Sequence, residues 1–406
     1  MNPIELEARF AARNYDPLPV VLTRGEGAYL YDAEGTRFID MMSAYSAVSH
    51  GHGHPRILAA LERQARRLAV ASRAFHSDQL GPFLQKLCEI TGLDVALPMN
   101  TGAEAVETAI KAARRWGYRV RGIAPDKAEI IVAEGNFHGR TTTIVGFSSE
   151  DAYRDGFGPF TPGFRAVPFG DLDAVRRAIT PDTAAILIEP IQGEGGIILP
   201  PEGFLAGLRR LCDEAGVLLI FDEVQTGLGR TGRWFAFQHE NAVPDGLVLG
   251  KALGGGVLPV SALVGKRALM DVFTPGSHGS TFGGNPLAAA VGLEALAVLE
   301  EEGLVERARI LGARMLTRLR AIRSPVLKDV RGRGLLAGAE IAPTYASARE
   351  VSELLLPKGV LSKDTHETVV RFAPPLVIAE RDLDWALDRF EEVVRAIEHR
   401  HLRPAA

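Results

Sequence analysis

Two residues with reactive side chains stand at the ends of two short apolar runs. Val217–Phe221 is continuous and branched enough to predict a buried parallel strand, and it runs straight into Asp222-Glu223. Further along, Gly246-Leu247-Val248-Leu249 runs into Gly250-Lys251. In an open α/β sheet, ligands bind outside the carboxyl ends of the strands, so an acid and a lysine at two such ends project into one crevice. A carboxylate that keeps a ring nitrogen protonated and an amine that condenses with an aldehyde are what a protein contributes to pyridoxal phosphate chemistry.

The commonplace alternatives are a surface lysine and an Asp-Glu pair that caps a helix. The basic residues of this chain are overwhelmingly arginine, and Lys251 is the lysine that falls between an apolar strand and a glycine run, Gly254-Gly255-Gly256. That run is expected to leave room for a cofactor. A phosphate-binding loop of the GxxxxGK[ST] type is excluded, because Gly246 and Gly250 enclose one residue too few and Ala252 replaces the hydroxyl residue.

Other elements place further candidates at the same edge. Asn100-Thr101-Gly102-Ala103 precedes a strong helical pattern beginning at Glu104, and such a turn offers backbone N–H groups and a favourable dipole to a phosphate. The strand predicted over 129–133 leads into Gly135-Asn136-Phe137-His138-Gly139-Arg140, where Phe137 is either core or a face for a flat aromatic group. Strand and helix then alternate: a strand at 184–188, a helix at 204–214, the two strands named above, and a strand at 260–265. This alternation predicts a mostly parallel sheet covered by helices. Residues 28–40 read as a hairpin, a long helix runs from Asn285 to about Glu302, and the C-terminal part mixes helices with strands near 326–329, 335–341 and 368–372. The alternate histidines His50, His52 and His54 lack a nearby acid or cysteine and sit among Gly51, Gly53 and Pro55, which predicts a tight loop and no metal site. Gly332-Arg333-Gly334 only approximates a dinucleotide fingerprint, since strand and not helix follows it.

Composition sets the outer bounds. At 406 residues, 46% hydrophobic and 24% charged, the chain is a globular protein with ample core. A formal net charge of −4 predicts neither nucleic acid nor an anionic membrane as partner. Cys88 and Cys212 fall in predicted helices at no metal spacing, as a reducing compartment permits. The N-terminus carries Glu5 and Glu7 without an apolar core and is too short for a transit peptide, so the expected location is cytoplasmic.

EPIQGEGG, FDEVQTGLGRTG, LGKALGGG and GSTFGGNP, in this order, resemble the class III pyridoxal-phosphate aminotransferases. The likeness runs through nearly the whole chain. SAYSAVSHGHGHP, LPMNTGAEAVETAIKAARRWGY, GNFHGRT, DGFGPFTPGF and VVRFAPPLVI resemble the ornithine-transferring branch of that family. The resemblance implies an α/β fold of the type I pyridoxal-phosphate transferases. A large, mostly parallel-sheet domain (46–302) would carry the cofactor. A smaller α+β domain would be formed by the N-terminal segment (1–45) and the C-terminal part (303–406). It implies that Lys251 attaches pyridoxal 5′-phosphate and shuttles the proton, with Asp222 at the ring nitrogen and Gln225 at the ring hydroxyl. Thr101, Gly102, Ala103 and Phe137 would complete the cofactor site, with Thr281 reaching the phosphate of a neighbouring subunit, hence a homodimer.

The implied substrates are ornithine and 2-oxoglutarate. Arg140 and Arg371 would hold carboxylates, Glu194 would mask Arg371, and Tyr15 and Tyr45 would contact the amino-acid end of ornithine. His138 replaces a tryptophan found in some members, which leaves the pocket beside Phe137 open to question. N-acetylornithine or 4-aminobutyrate as donor, and an aminomutase of the glutamate-1-semialdehyde type, are the alternatives.

Overall fold

The computed structural model describes residues 1–402. A seven-stranded sheet forms its centre, in the order Val95–Met99, Ser261–Gly265, Gly246–Leu249, Leu218–Asp222, Thr183–Ile188, Glu129–Ala133, Phe164–Val167. Ser261–Gly265 runs antiparallel to both of its neighbours, and the other strands share one direction. Every residue of Leu218–Asp222, Thr183–Ile188 and Gly246–Leu249 is buried, which is why these strands read as unbroken apolar runs and not as alternating ones. Each fully buried Leu, Ile, Val or Phe side chain contributes about 1.5–3 kcal/mol of transfer free energy.

Helices on both faces supply the cover. Gly102–Trp116 starts at a reciprocal cap: Thr101 Oγ1 accepts from Glu104 N at 3.3 Å, while Glu104 Oε2 accepts from Thr101 N at 2.8 Å. Phe204–Ala215 stops at Gly216, whose φ of 62° lies in the left-handed region. Pro286–Glu301 begins with Asn285 Oδ1 accepting from Ala288 N at 2.8 Å, and it buries most of its length.

Two four-stranded sheets lie beyond this core. Leu22–Glu26, Tyr29–Asp32 and Arg37–Asp40 form a meander whose last strand pairs in parallel with Val360–Leu361. Leu327–Arg333, Leu336–Ile341, Val369–Phe372 and Lys363–Thr365 form the other sheet, all antiparallel. The C-terminal chain thus returns to the N-terminal one: Ala373 N donates to Met41 O at 2.7 Å and Leu376 N to Ser49 O at 2.8 Å. No helix among the described residues is long and apolar enough to cross a membrane.

The glycine run after Lys251 has a different purpose from the one its composition suggested. Gly255 and Gly256 are left-handed (φ 61° and 75°), and a Cβ on Gly255 would meet Ile57 Cγ2 at 2.8 Å. They make room for the core. The histidines also differ from expectation, since two of them do find acids. His52 Nε2 bonds Asp40 Oδ2 at 2.8 Å and His54 Nε2 lies 3.2 Å from Glu302, while His50 Nε2 bonds Ala295 O. Three separate partners pull the three rings apart.

Candidate active site

Five chain segments leave the central sheet at one edge, because five of its strands end there. Asp222, Lys251, Glu189, the turn at Asn100–Ala103 and the loop from Gly135 to Arg140 therefore meet around a cavity of about 200 Å³. Gly102, Ala103, Phe137, Gln225 and Glu194 line it together with Asp222 and Lys251.

Asp222 is held on two sides. Its Oδ1 accepts from Val224 N at 3.0 Å and its Oδ2 bonds His138 Nδ1 at 2.7 Å. Burial alone would lower the His138 pKa, but the hydrogen bond and charge of Asp222, with the charge of Glu189, raise it above the ordinary value. The residue whose effect on pocket shape was open thus sits behind the acid and orients it.

Lys251 is left-handed at φ 46°, a conformation that costs a non-glycine residue roughly 1–3 kcal/mol and that clusters at functional sites. Burial pushes its amine down to about 8, against the raising effect of Glu194, Asp222 and Glu189. About a tenth is then the neutral nucleophile at pH 7, far more than an ordinary lysine offers.

Sequence reading missed Glu189. Its Oε2 accepts from Phe137 N at 2.9 Å and its Oε1 from Gly193 N at 3.1 Å, so one carboxylate ties together two of the loops around the cavity. Burial raises it to about 7. Glu223, the other half of the Asp-Glu pair, faces away and accepts from Ala236 N and Phe237 N at 2.7 and 2.9 Å.

A second cluster adjoins the cavity. Arg371, whose side chain is 2% exposed, pairs with Glu194 at 2.9 Å and donates to Thr365 Oγ1 at 2.9 Å. Burial would push Glu194 up, but the Arg371 guanidinium, Lys251 and Gln225 outweigh it and hold the carboxyl at about 2. Gln225 Nε2 donates to Glu194 Oε1 at 3.0 Å. Arg371 Cζ lies 5.1 Å from the centre of the Tyr45 ring.

Tyr45 is presented by an unusual turn. Ser43, Ala44, Tyr45 and Ser46 are all left-handed, with φ between 42° and 74°. Isolated, such a run is disfavoured by about 1–2 kcal/mol per residue. Asp40 Oδ1 anchors its start by accepting from Met42 N and Ser43 N, each at 2.8 Å. The fully buried Arg230 braces it, donating to Ser43 Oγ (3.0 Å), Ser49 Oγ (2.9 Å), Leu335 O (3.0 Å) and Pro374 O (2.5 Å). Burial lowers Arg230 to about 9. Only its place in the Gly229-Arg230-Thr231-Gly232 turn marked Arg230 in the sequence, and that carries no hint of its partners.

Arg140 is exposed beside the cavity, its Cζ 3.8 Å from the Tyr153 ring and 5.6 Å from that of Phe137. Two predicted residues do not join the others within one chain. Tyr15 is 74% exposed in the N-terminal arm. Thr281 is exposed in a turn fastened to the Asn100 side chain through Ser280 Oγ at 2.9 Å. Thr101 uses its hydroxyl to cap its own helix, which leaves the N–H groups of Gly102 and Ala103 without helical acceptors.

This arrangement fits pyridoxal phosphate. A buried amine, a fixed carboxylate and a helix start open onto one cavity, and Gln225 Oε1 is buried there without a partner. Gly193 admits that Gln225 side chain, since a Cβ on it would fall 1.7 Å from Gln225 Oε1.

The model of the class-III aminotransferase family matches residues 10–394. The chain is a class-III aminotransferase. Pyridoxal phosphate is the cofactor of that family. The aminotransferase is 54% identical to the ornithine aminotransferase of Brevibacillus brevis over 395 residues, covering 97% of this chain and 98% of that one. It is 56% identical over 394 residues to the ornithine aminotransferase of Geobacillus sp., with the same coverage. Among solved structures, the Toxoplasma gondii ornithine aminotransferase, with pyridoxal phosphate at partial occupancy in its active site, superposes with a TM-score of 0.97 at 44% identity, covering 98% of this chain and 95% of that one. The acetylornithine aminotransferase of Elizabethkingia anophelis superposes at 0.87 with 45% identity, over 97% of this chain and 98% of that one.

Proposed function

We propose that the enzyme transfers the δ-amino group of L-ornithine to 2-oxoglutarate. The products would be glutamate and glutamate 5-semialdehyde, which cyclises to pyrroline-5-carboxylate. The observation that carries this reading is the Glu194–Arg371 pair at 2.9 Å beside Tyr45. An unmasked guanidinium next to the reacting amine would bind an α-carboxylate through its planar fork and so select an α-amine. With Arg371 masked, the carboxylate of ornithine goes to Arg140, at the outer side of the cavity, and the distal amine faces Lys251.

Lys251 takes the proton from the substrate carbon as a neutral amine, a form favoured by its burial. Asp222, fixed by His138 and Val224 N, would hold the ring nitrogen protonated. When bound, pyridoxal phosphate supplies the electron sink for that deprotonation. The N–H groups of Gly102 and Ala103 would hold the phosphate, with Phe137 beside the ring and the unpartnered Gln225 Oε1 available to its hydroxyl. For the acceptor half of the cycle, Glu194 leaves Arg371, which then holds the second carboxylate of 2-oxoglutarate.

The exposed Thr281 is followed by Phe282 at 55% exposure, and Gly284 of the same turn packs against Arg73, two residues from Phe75 at 75%; this exposed apolar surface supports a homodimer in which Thr281 completes the partner's site. Tyr15 would reach the substrate only after the N-terminal arm settles in that assembly. The division into residues 1–45, 46–302 and 303–406, a cytoplasmic location and a place in proline and arginine metabolism belong to the same proposal.

N-acetylornithine stays as the rival donor, because the Elizabethkingia structure is as similar in sequence as the Toxoplasma one. A donor panel with 2-oxoglutarate, scored for glutamate formed, decides between them. Ornithine should give the highest kcat/KM and a cyclising product. A preference for N-acetylornithine or 4-aminobutyrate would overturn the assignment, and product formed without stoichiometric loss of 2-oxoglutarate would point to an aminomutase.

A further inference from the structure

We propose that Lys363 is a specificity-determining residue for the dicarboxylate acceptor, an inference that rests on the transaminase reading above. Lys363 lies on the edge strand Lys363–Thr365, and its Cα partner on the neighbouring strand is Arg371. Directly opposed residues of an antiparallel pair project from the same face, so two cations leave this sheet side by side. Like charges so placed repel unless something intervenes. Glu194 neutralises Arg371, whereas Lys363 has no ion-pair partner within 4.0 Å among the described residues. Its ammonium donates instead to the Tyr45 hydroxyl at 3.3 Å and stands 5.9 Å from the centre of that ring.

Two consequences follow from the chemistry of these groups. An ammonium has donors and no acceptor, so the phenolic oxygen of Tyr45 must accept from Lys363. The Tyr45 O–H is then free to donate to a carboxylate or carbonyl oxygen of the substrate, and one lone pair of its oxygen remains to accept.

The second consequence concerns charge. Ornithine enters with a net positive charge and leaves the Glu194–Arg371 pair closed, so Lys363 offers it no counter-charge. A 2-oxo dicarboxylate enters with two negative charges and displaces the Glu194 carboxylate from Arg371. Arg140 and Arg371 then face three negative charges. Lys363 supplies the third positive one. Its charge favours the acceptor over the donor, and because Lys363 is half-buried its field is only partly screened by solvent.

The test uses holoenzyme with Lys363→Met, Lys363→Gln and Lys363→Arg, with each substrate varied in turn. Removing the charge should raise KM for 2-oxoglutarate about tenfold and change KM for ornithine several-fold less, while Lys363→Arg restores the acceptor KM. The non-reacting dicarboxylate glutarate should lose binding by a similar factor, a measurement that holds even if ornithine proves not to be the donor. If both KM values change together, if neither changes, or if glutarate binds Lys363→Met as tightly as wild type, Lys363 has no part in acceptor choice. Thermal unfolding of the edge-strand variants near the wild-type temperature confirms that the comparison is between folded enzymes.

Discussion

The cofactor side and the substrate side of this site are built in opposite ways. Asp222, Glu189, Lys251 and the Gly102 turn come from the ends of strands in one sheet, and their spacing is fixed by the sheet itself. Tyr45, Glu194, Arg371 and Lys363 come from a left-handed turn, a loop and two strands of a separate sheet, and they are held together by ion pairs and hydrogen bonds. The first side is set by the backbone of the sheet. The second is a charge balance that must change between the two halves of a transamination. The proposed reading gives the chemistry to the scaffold and the selectivity to the charge pairs.

Mutations on the two sides should therefore fail differently. Lys251→Ala should abolish covalent attachment of pyridoxal phosphate and essentially all turnover; measurable steady-state transamination by this variant would remove Lys251 from its role. Asp222→Ala should still bind cofactor but lose roughly 10²–10³-fold in single-turnover rate, comparable to removing one preorganised electrostatic partner. Wild-type single-turnover rates would show that the strand-end acid is dispensable. Tyr45→Ile, on the other side, should leave attachment untouched and erode the preference for ornithine over 4-aminobutyrate by roughly tenfold to a hundredfold, as loss of a buried polar partner costs about 1–3 kcal/mol. An unchanged donor ranking would exclude Tyr45 from selection.

The smallest expected effect is on pH. Because burial lowers Lys251 to about 8, its amine is protonated below that value and neutral above it. The rate at which apoenzyme takes up pyridoxal phosphate should climb about tenfold from pH 7, pass its half-maximum near pH 8 and level off by about pH 9. A rate still rising steeply beyond pH 9 would mean that the buried lysine keeps an ordinary pKa.

The same contrast explains what the sequence disclosed. Buried parallel strands read as continuous apolar runs, so Leu218–Asp222 and Gly246–Leu249 were legible to within a residue or so, and with them the placement of Asp222 and Lys251. The polar, glycine-containing turn Asn100–Ala103 marked the start of the helix in the same local way, and the structure adds the reciprocal cap between Thr101 and Glu104. The His138–Asp222 bond was not legible, because it depends on how the loop after one strand folds toward the end of another. The left-handed run Ser43–Ser46 contains no glycine and has no local signature. It exists because Asp40, three residues before it, and Arg230, distant in sequence, over-determine it. The glycines after Lys251 were misjudged for a related reason, since what they yield to is Ile57 and not the cofactor.

The central claim is that masking Arg371 with Glu194 decides which amine reacts. Breaking a buried pair of this kind by removing one partner costs about 3–5 kcal/mol where the remaining charge is left alone, so Glu194→Gln exposes a guanidinium with a strong demand for a carboxylate. The direct measurement is the ratio of kcat/KM for ornithine to that for glutamate in the donor half-reaction, wild type against Glu194→Gln. The account predicts that the ratio falls at least tenfold, chiefly through faster reaction of the α-amine of glutamate. A ratio that stays constant, with both substrates slowed alike, would contradict it.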